Sequence, residues 1–283
     1  MISIVMPTHN HPPMLSTTLL SVFSQDFDDY ELIVPDVSPD RYFKDELYGL
    51  LETDESLQMY ADKISKIKII YPDCNPRLLG AVRMSGVRNA VQDNDMIFFL
   101  DHDDFLGNGI LKYIPLAMRQ YPSTEMISTD YTSFYYSDGE ICTNLVTHMN
   151  GEVCGSSDTI WVENVYFKFP MKQNIYRIKH PWQSASCPKI ISKKTLREHR
   201  FVFIEDTEVV DDIMWSIMTH SLVETQIPLV GYVYVCYSGY LTNSCDPKNT
   251  PSETTIKYAD ICKQYGSLLD EIHYTKQRNM LMI

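Results

Sequence analysis

The sequence predicts an α/β protein with a mostly parallel sheet flanked by helices, and a smaller mixed β region in its second half. Two observations support this prediction. The first hundred residues alternate between short apolar runs and stretches with a helical period. The apolar runs have no polar face, which is typical of strands that helices cover on both sides of a parallel sheet.

The order of elements in the first half follows from these local patterns. Each predicted strand is a short apolar run, and each predicted helix repeats its apolar residues three or four positions apart. The predicted strands are 2–7, 30–36, 67–72 and 95–101. The predicted helices are 12–25, 42–53 and 78–92. Strands and helices in this order form successive βαβ units.

The strict alternation ends after residue 105. A helix is predicted over 109–120 although Pro115 lies within it, and a strand, an Asp-Gly turn and a second strand over 126–145. The later predictions are strands at 188–196 and 228–238 and helices at 208–220 and from 251 to about 279. We therefore divide the chain into two halves of one domain, 1–106 and 107–250, and a C-terminal helix, 251–283.

Composition argues against several classes of function. The net charge of −13 argues against a broad nucleic-acid surface, which needs a basic face. The seven cysteines are scattered and form no CxxC pair, which indicates reduced thiols. The first residues do not form a signal peptide, and no apolar run reaches the roughly 18–20 residues of a membrane-spanning helix. We expect a cytoplasmic protein whose only membrane association would be peripheral.

Polar residues follow three of the predicted strands. In parallel sheets, ligands bind outside the carboxyl ends of the strands. The polar residues in these positions are Thr8, His9, Asn10, Asp36, Asp101, His102, Asp103 and Asp104. We therefore expect one site at this edge of the sheet.

The sequence Asp101-His102-Asp103-Asp104 follows the fourth strand directly. Paired carboxylates at a strand end can hold Mg²⁺ or Mn²⁺, with phosphates and water completing the coordination. The alternative is a solvated strand end whose aspartates cap a helix. The expected proximity of Asp36 favours the metal site.

Other charged residues leave two interpretations open. Asp36 either makes an Asx turn or accepts hydrogen bonds from a base or a ribose. One of Arg83 and Arg88 could reach a diphosphate, and for Arg83 we favour a surface salt bridge. Asp211 and Asp212 lie near a predicted helix start, where they either complement the helix dipole or supply a general base.

Three stretches carry a family resemblance. "SIVMPTHN", "LSVFSQ" and "YELIVPDVSPD" form one βαβ unit, "GVRNAVQDNDMIFFLDHDDFL" joins an Arg-Asn helix to a DxD strand, and "FVFIEDTEVVDDIMW" places acids before a helix. Together they resemble the inverting glycosyltransferases of family 2, which have the GT-A fold. The first two stretches cover most of residues 2–106. Two departures are the Pro35–Ser38 stretch, which lacks one carboxylate and the glycine of the family motif, and His102 within DxD.

The resemblance implies a metal-dependent enzyme that uses Mn²⁺ or Mg²⁺. The expected donor is a nucleotide sugar, most commonly a UDP-sugar, bound by residues 1–106, and the acceptor is a hydroxyl of a glycan, protein or lipid on the side of residues 107–250. The implied metal ligands are Asp103 and Asp101, and Asp212 is the implied base, with Asp211 at the family's glutamate position. The implied donor-binding residues are Pro7, Thr8, Asn10, Asp36, Arg88, Asp101, His102 and Asp103.

Two other functions share this type of fold. A nucleotidyltransferase also joins a parallel sheet to paired aspartates, but "PTHNHPP" lacks the glycine-rich opening of such enzymes. A protein that binds a nucleotide or a sugar without turnover is the other alternative. For residues 238–250, which are rich in loop-forming side chains, we predict a lid that closes over the donor.

Overall fold

The computed structural model describes residues 1–10, 14–90, 96–137, 140–143, 146–147, 153–154, 189–198 and 226–237. Side chains are described up to residue 129 and in 189–198. The helices predicted at 208–220 and 251–279 and the lid predicted at 238–250 lie outside these residues.

In the part of the chain that the structure describes, eleven strands form one sheet. They are β1 (Ile2–Val5), β2 (Tyr30–Pro35), β3 (Ile67–Ile70), β4 (Met96–Phe99), β5 (Phe105–Leu106), β6 (Met126–Ser137), β7 (Glu140–Thr143), β8 (Val146–Thr147), β9 (Val153–Cys154), β10 (Lys189–Ser192) and β11 (Gln226–Tyr237). The main path of the sheet has the order β3-β2-β1-β4-β10-β6-β11-β5, with β7 and β8 paired to β6 and β9 paired to β8.

The described helices lie between these strands as the alternation predicts. They are α1 (Leu15–Phe23), α2 (Phe43–Thr53), α3 (Glu55–Gln58), a 3-10 helix (Ala61–Lys66), α4 (Leu79–Asn89), α5 (Ile110–Gln120) and α6 (Lys193–Glu198). Pro115 lies inside α5, and the helix continues through it. None of the helices in the described ranges is long and apolar enough to cross a membrane.

The first half is parallel and the second half is mixed. Strand β1 pairs in parallel with β2 and with β4, and β2 pairs in parallel with β3. Strand β10 enters between β4 and β6 and is antiparallel to both, whereas β6 and β11 are parallel. The predicted mostly parallel sheet with a mixed second region is confirmed.

The hydrophobic core has one cluster on each face of the sheet, because successive strand residues point to opposite faces. Ile4, Leu32 and Phe98 pack with the buried faces of α1, α2 and α5. Val5, Ile33, Ile97 and Phe99 pack with α4 on the other face. A Cβ on Gly86 of α4 would lie 2.4 Å from Val5 Cγ1, so only glycine allows this helix to approach β1 so closely.

One predicted strand is wrong in its second half. The stretch 188–196 was expected to be extended, but only Lys189–Ser192 is a strand and Lys193–Glu198 is helical. The Ser192 hydroxyl accepts a hydrogen bond from the Thr195 backbone N–H at 2.9 Å. This bond is typical of a serine that caps a helix N-terminus, and it starts α6 directly after the strand.

Candidate functional site

The carboxyl ends of β1 and β2 are joined by backbone hydrogen bonds. Thr8 and Asp36 form a parallel bridge, in which the Thr8 N–H donates to Pro35 O at 3.0 Å and the Val37 N–H donates to Thr8 O at 3.1 Å. The Asp36 N–H in turn donates to Ile70 O at the end of β3, at 2.8 Å. The predicted convergence of the two loops is therefore present.

The loop after β4 is bonded to the loop after β1 through His102. Its Nδ1 lies 2.9 Å from Pro7 O, and because a carbonyl can only accept, Nδ1 carries the proton. The hydroxyl of Thr18 in α1 donates to His102 O at 3.0 Å. His102 thus fixes the Asp101–Asp104 turn against Pro7.

Asp36 has its carboxylate turned towards backbone donors. Its side chain is 2% exposed, Oδ1 accepts from the Ser38 N–H at 2.9 Å, and Oδ2 accepts from the N–H of Phe43, the first residue of α2, at 3.4 Å. The first bond is the Asx turn that the sequence suggested. Both bonds satisfy donors that would otherwise lack partners in the turn and at the helix start.

Two non-glycine residues beside Asp36 have left-handed backbone conformations. They are Asn10, with φ 64°, and Arg41, with φ 52°. Both are bonded to the buried residue Ser38: the Asn10 N–H donates to its Oγ at 3.1 Å, and the Arg41 N–H donates to its carbonyl at 3.1 Å. One serine therefore holds the loops after β1 and β2 in uncommon conformations.

The Thr8 side chain is also bonded within this edge of the sheet. Its hydroxyl lies 2.9 Å from the Tyr42 hydroxyl, and both residues are buried. Burial, with lesser contributions from Asp36 and two other acids, raises the pKa of Tyr42 above its ordinary value, while the bond to Thr8 opposes the rise. Tyr42 therefore stays neutral and can act as a donor at physiological pH.

His9 lies in the same loop. Its Nδ1 is shielded from solvent and makes no hydrogen bond to any of the described residues. A buried polar atom without a partner has a cost that a bound ligand can remove. This edge of the sheet therefore offers a ligand the Nδ1 atom of His9 as well as the carboxylates of the aspartates.

Arg83 contradicts the surface salt bridge that we favoured for it. The residue is 0% exposed, and its guanidinium nitrogen bonds Asp101 Oδ1 at 2.9 Å. Arg83 lies on the buried stripe of α4, three and four positions before the buried residues Gly86 and Val87. The helical period is the sequence signal for this burial, because it places Arg83 on the same side of α4 as Gly86 and Val87.

Arg88 lies at the other end of α4 and is exposed. The carbonyl of the next residue, Asn89, accepts from Lys68 Nζ near the start of β3 at 2.7 Å. This contact places Arg88 at the amino edge of the sheet, whereas Asp101 and Arg83 meet at the carboxyl edge. The predicted contact of Arg88 with the donor stays a prediction.

The carboxyl group of Asp103 ionises less readily than that of an ordinary aspartate. Burial raises the pKa of its carboxyl above the ordinary value, the charge of Asp101 raises it further, and His102 opposes the rise. A desolvated carboxylate beside another carboxylate is stabilised by a cation. Asp104, which is 3% exposed, closes the turn by donating its N–H to Asp101 O at 3.1 Å.

The carboxyl edge thus brings together most of the predicted site residues. They are Pro7, Thr8, Asn10, Asp36, Asp101, His102 and Asp103. No group of three or more His, Cys, Asp or Glu side chains that could hold a metal ion occurs in the described ranges. Asp211 and Asp212 lie outside the described residues.

The first half of the chain is similar to a known protein family. Residues 3–123 match the model of the glycosyl transferase family 2. These residues, less than half of the chain, are therefore similar to that family, and the resemblance carried by the sequence motifs is confirmed for this stretch. No curated protein matches the sequence significantly.

Solved structures of S. aureus TarS share the fold. The TarS structure superposes with a TM-score of 0.56 at 18% identity, covering 83% of this chain and 36% of that one. TarS 1–349 in complex with UDP-GlcNAc gives 0.56 at 17% identity, covering 84% and 58%. The UDP complex gives 0.56 at 16% identity, covering 84% and 61%. The match thus spans less than two thirds of the TarS chains, and at these identities it shows the fold, which is similar to that of GT-A glycosyltransferases.

Proposed function

We propose that this protein is a metal-dependent, inverting glycosyltransferase that moves a sugar from a nucleotide-sugar donor to an acceptor hydroxyl. The observation that carries the proposal is the carboxyl edge within residues 3–123, where His102 bonds the turn that holds Asp101 and Asp103 to Pro7, and Thr8 of the same loop bridges to Asp36. A UDP-sugar is the proposed donor, since TarS binds UDP-GlcNAc and UDP in the same fold. The acceptor hydroxyl would belong to a glycan, a protein or a lipid.

The carboxylates of the edge suit a hard divalent cation. Burial and the charge of Asp101 raise the pKa of Asp103, and a cation bound beside it would stabilise the ionised form. Asp103 and Asp101 would hold Mn²⁺ or Mg²⁺, with Asp101 oriented by its bond to Arg83. When bound, the cation supplies positive charge that offsets the charge of the leaving diphosphate.

The chain's own residues would position the donor. Pro7, Thr8 and Asn10 lie in the loop after β1, and the His102–Pro7 bond keeps the Asp101–Asp104 turn against this loop. A carboxylate, Asp212 or its neighbour Asp211, would take the proton of the acceptor hydroxyl as the hydroxyl oxygen attacks the anomeric carbon and the diphosphate leaves. One displacement inverts the anomeric configuration once.

Calorimetric titration with UDP, with and without Mn²⁺, tests the donor and metal site. We expect Mn²⁺ to strengthen UDP binding in the wild type, and Asp103→Ala to abolish that dependence because it removes the desolvated carboxylate. The matched control is Asp62→Ala, an exposed aspartate in the 3-10 helix that precedes β3. A metal-dependent affinity that survives in Asp103→Ala would contradict the proposed metal site.

Transfer assays with a panel of nucleotide sugars test the chemistry. Asp212→Asn should keep donor and metal affinity but lose transfer by about 10²- to 10⁴-fold, the usual contribution of a general base. Asp211→Asn should lose much less. The reverse pattern would make Asp211 the base, and an NMR spectrum showing retained anomeric configuration would rule out single displacement.

The same panel separates transfer from binding alone. The alternative, a protein that binds nucleotides without turnover, is favoured by the Pro35–Ser38 stretch, which lacks one carboxylate and the glycine of the family motif. Metal-dependent UDP binding with neither hydrolysis nor transfer of any sugar in the panel would support this alternative function.

A further inference from the structure

Polar side chains on one face of α1 bond the segment that follows β4. The hydroxyl of Thr18 donates to His102 O at 3.0 Å, and the hydroxyl of Ser21 accepts from the Leu106 N–H at 3.0 Å. Residues three positions apart lie on the same face of a helix. One face of α1 therefore follows this segment from the Asp101–Asp104 turn to β5.

Thr18 is the member of this face that contacts the Asp101–Asp104 turn. Its side chain is fully buried, and its hydroxyl lies between two backbone acceptors, His102 O at 3.0 Å and Met14 O at 3.1 Å. Met14 immediately precedes α1, whereas His102 is 84 positions along the chain. Thr18 thus joins the start of the first helix to the turn after the fourth strand.

His102 is bonded on two sides to two different elements. Its ring Nδ1 donates to Pro7 O at 2.9 Å in the loop after β1, and its carbonyl accepts from Thr18 in α1. A residue bonded at both its side chain and its backbone cannot shift without losing one of the bonds. Since His102 lies between Asp101 and Asp103 in the chain, these two bonds fix the position of both carboxylates.

The Asp101–Asp104 turn holds like charges close together. Burial and the charge of Asp101 raise the pKa of Asp103, so the two carboxylates repel each other when both are ionised. Without a cation, this repulsion favours conformations that move them apart. Contacts with neighbouring elements are therefore needed to keep the turn in one position.

We infer that Thr18 is a positioning residue of the proposed cation site, an assignment that rests on the proposed function. Together with the ring of His102, its hydroxyl holds the Asp101–Asp104 turn in place before a cation binds. Hydrogen bonds around a metal site orient the ligands, and their loss typically weakens metal binding by roughly 10- to 100-fold. His102 is a departure from the family motif, so the bond of its ring to Pro7 is a feature of this chain.

Calorimetric titration with UDP at a series of Mn²⁺ concentrations tests the inference. Thr18→Val removes the hydroxyl and keeps the shape of the side chain. It should raise the Mn²⁺ concentration that gives half of the gain in UDP affinity by about tenfold, and leave the UDP affinity without Mn²⁺ unchanged. Thr18→Ser keeps the hydroxyl and should behave like the wild type.

The matched control is Ser21→Ala, which removes a hydroxyl from the same face of α1 that is bonded beyond the Asp101–Asp104 turn. Both Ser21→Ala and Thr18→Val should lower the midpoint of urea unfolding, because each leaves a backbone group without its partner. Only Thr18→Val should change the requirement for Mn²⁺. Equal changes in the two variants would indicate general loosening of α1 and overturn the inference.

Variants of His102 test the other bond and do not depend on the folding of Thr18→Val. His102→Ala should also raise the required Mn²⁺ concentration about tenfold, and His102→Asn, whose amide keeps a donor near the place of Nδ1, should raise it less. Wild-type Mn²⁺ dependence in both Thr18→Val and His102→Ala would overturn the inference and leave the proposed function intact. UDP binding that is independent of Mn²⁺ in the wild type would contradict the proposed metal site itself, and the inference with it.

Discussion

The loops after β2 and β4 both place an aspartate at the end of a parallel strand, and the two aspartates have opposite environments. Asp36 is 2% exposed and accepts hydrogen bonds from two backbone N–H groups. Asp103 has burial and the Asp101 charge acting against its ionisation, and its pKa is raised. Both are carboxylates in loops that follow parallel strands, Asp36 directly after β2 and Asp103 four residues after the end of β4.

The difference shows that the surroundings of a carboxylate decide its role. Asp36 is part of the scaffold, because its oxygens complete the hydrogen bonding of the Ser38 and Phe43 N–H groups. Asp103 has a raised pKa, and carboxyl groups with perturbed pKa values are typical of binding and catalytic sites. Asp101 lies between these extremes, since the fully buried Arg83 neutralises it.

The largest effect is expected from Asp101→Asn. This change leaves the buried Arg83 without its charged partner, and breaking a buried pair from one side should lower the free energy of unfolding by about 3 kcal/mol. Urea unfolding measures the loss. The double variant Arg83→Met/Asp101→Asn should recover part of it, because no buried charge remains uncompensated. A double variant less stable than Asp101→Asn would show that Arg83 is not destabilised by losing Asp101.

A smaller loss is expected from Gly86→Ala, which tests how closely α4 must approach the sheet to place Arg83. The new Cβ would lie 2.4 Å from Val5 Cγ1 and 3.1 Å from Pro35 Cγ, and overpacking of this kind costs about 1–3 kcal/mol. Thermal or urea unfolding measures the change. The control is Gly49→Ala in α2, where nothing lies within 4 Å and the better helix propensity should stabilise by roughly 0.5–1 kcal/mol.

Asp36→Ala should cost less again, about 1 kcal/mol, because it removes the side chain that bonds the Ser38 and Phe43 N–H groups. Asp36→Asn keeps an acceptor oxygen and should lose only part of this. Urea unfolding of the two variants distinguishes them. Equal stability of the alanine variant and the wild type would remove the scaffold role that the comparison gives to Asp36.

The smallest effect, of opposite sign, is expected from Asp103→Asn in metal-free protein. Removing a desolvated charge beside Asp101 should stabilise the fold by about 0.5 kcal/mol, while metal-dependent UDP binding is lost. The stability difference should depend on pH. The folded pKa of Asp103 is raised, so the folded state holds this proton more tightly than the unfolded state.

The contribution of Asp103 to wild-type stability therefore falls as pH rises from the ordinary value of 3.8 through the raised pKa. The asparagine variant lacks this titration. Urea unfolding from about pH 4 to about pH 7 should show the advantage of Asp103→Asn growing with pH. An advantage that shrinks with rising pH would contradict the raised pKa.

Local sequence patterns predicted the elements that position the site. Strands β1 to β4 and helices α1, α2 and α4 lie where apolar runs and helical periods indicated, because these signals depend only on neighbouring residues. Several short elements were missed, among them the single helical turn α3 and the two-residue strands β5, β8 and β9, because they are too short to show a period. The helix at Lys193–Glu198 was missed because its signal is the single capping residue Ser192.

The sequence by itself determined the alternating order of strands and helices and the carboxyl edge where Asp36, Asp101 and Asp103 meet, since parallel strands end at the same edge. Only the tertiary structure decided that Arg83 pairs with Asp101, eighteen positions along the chain, and that β10 enters between β4 and β6. It also decided that Asp36 accepts hydrogen bonds from the Ser38 and Phe43 N–H groups, whereas burial and the charge of Asp101 raise the pKa of Asp103. These outcomes depend on contacts between segments distant in sequence, and no local period encodes which distant segment supplies the partner.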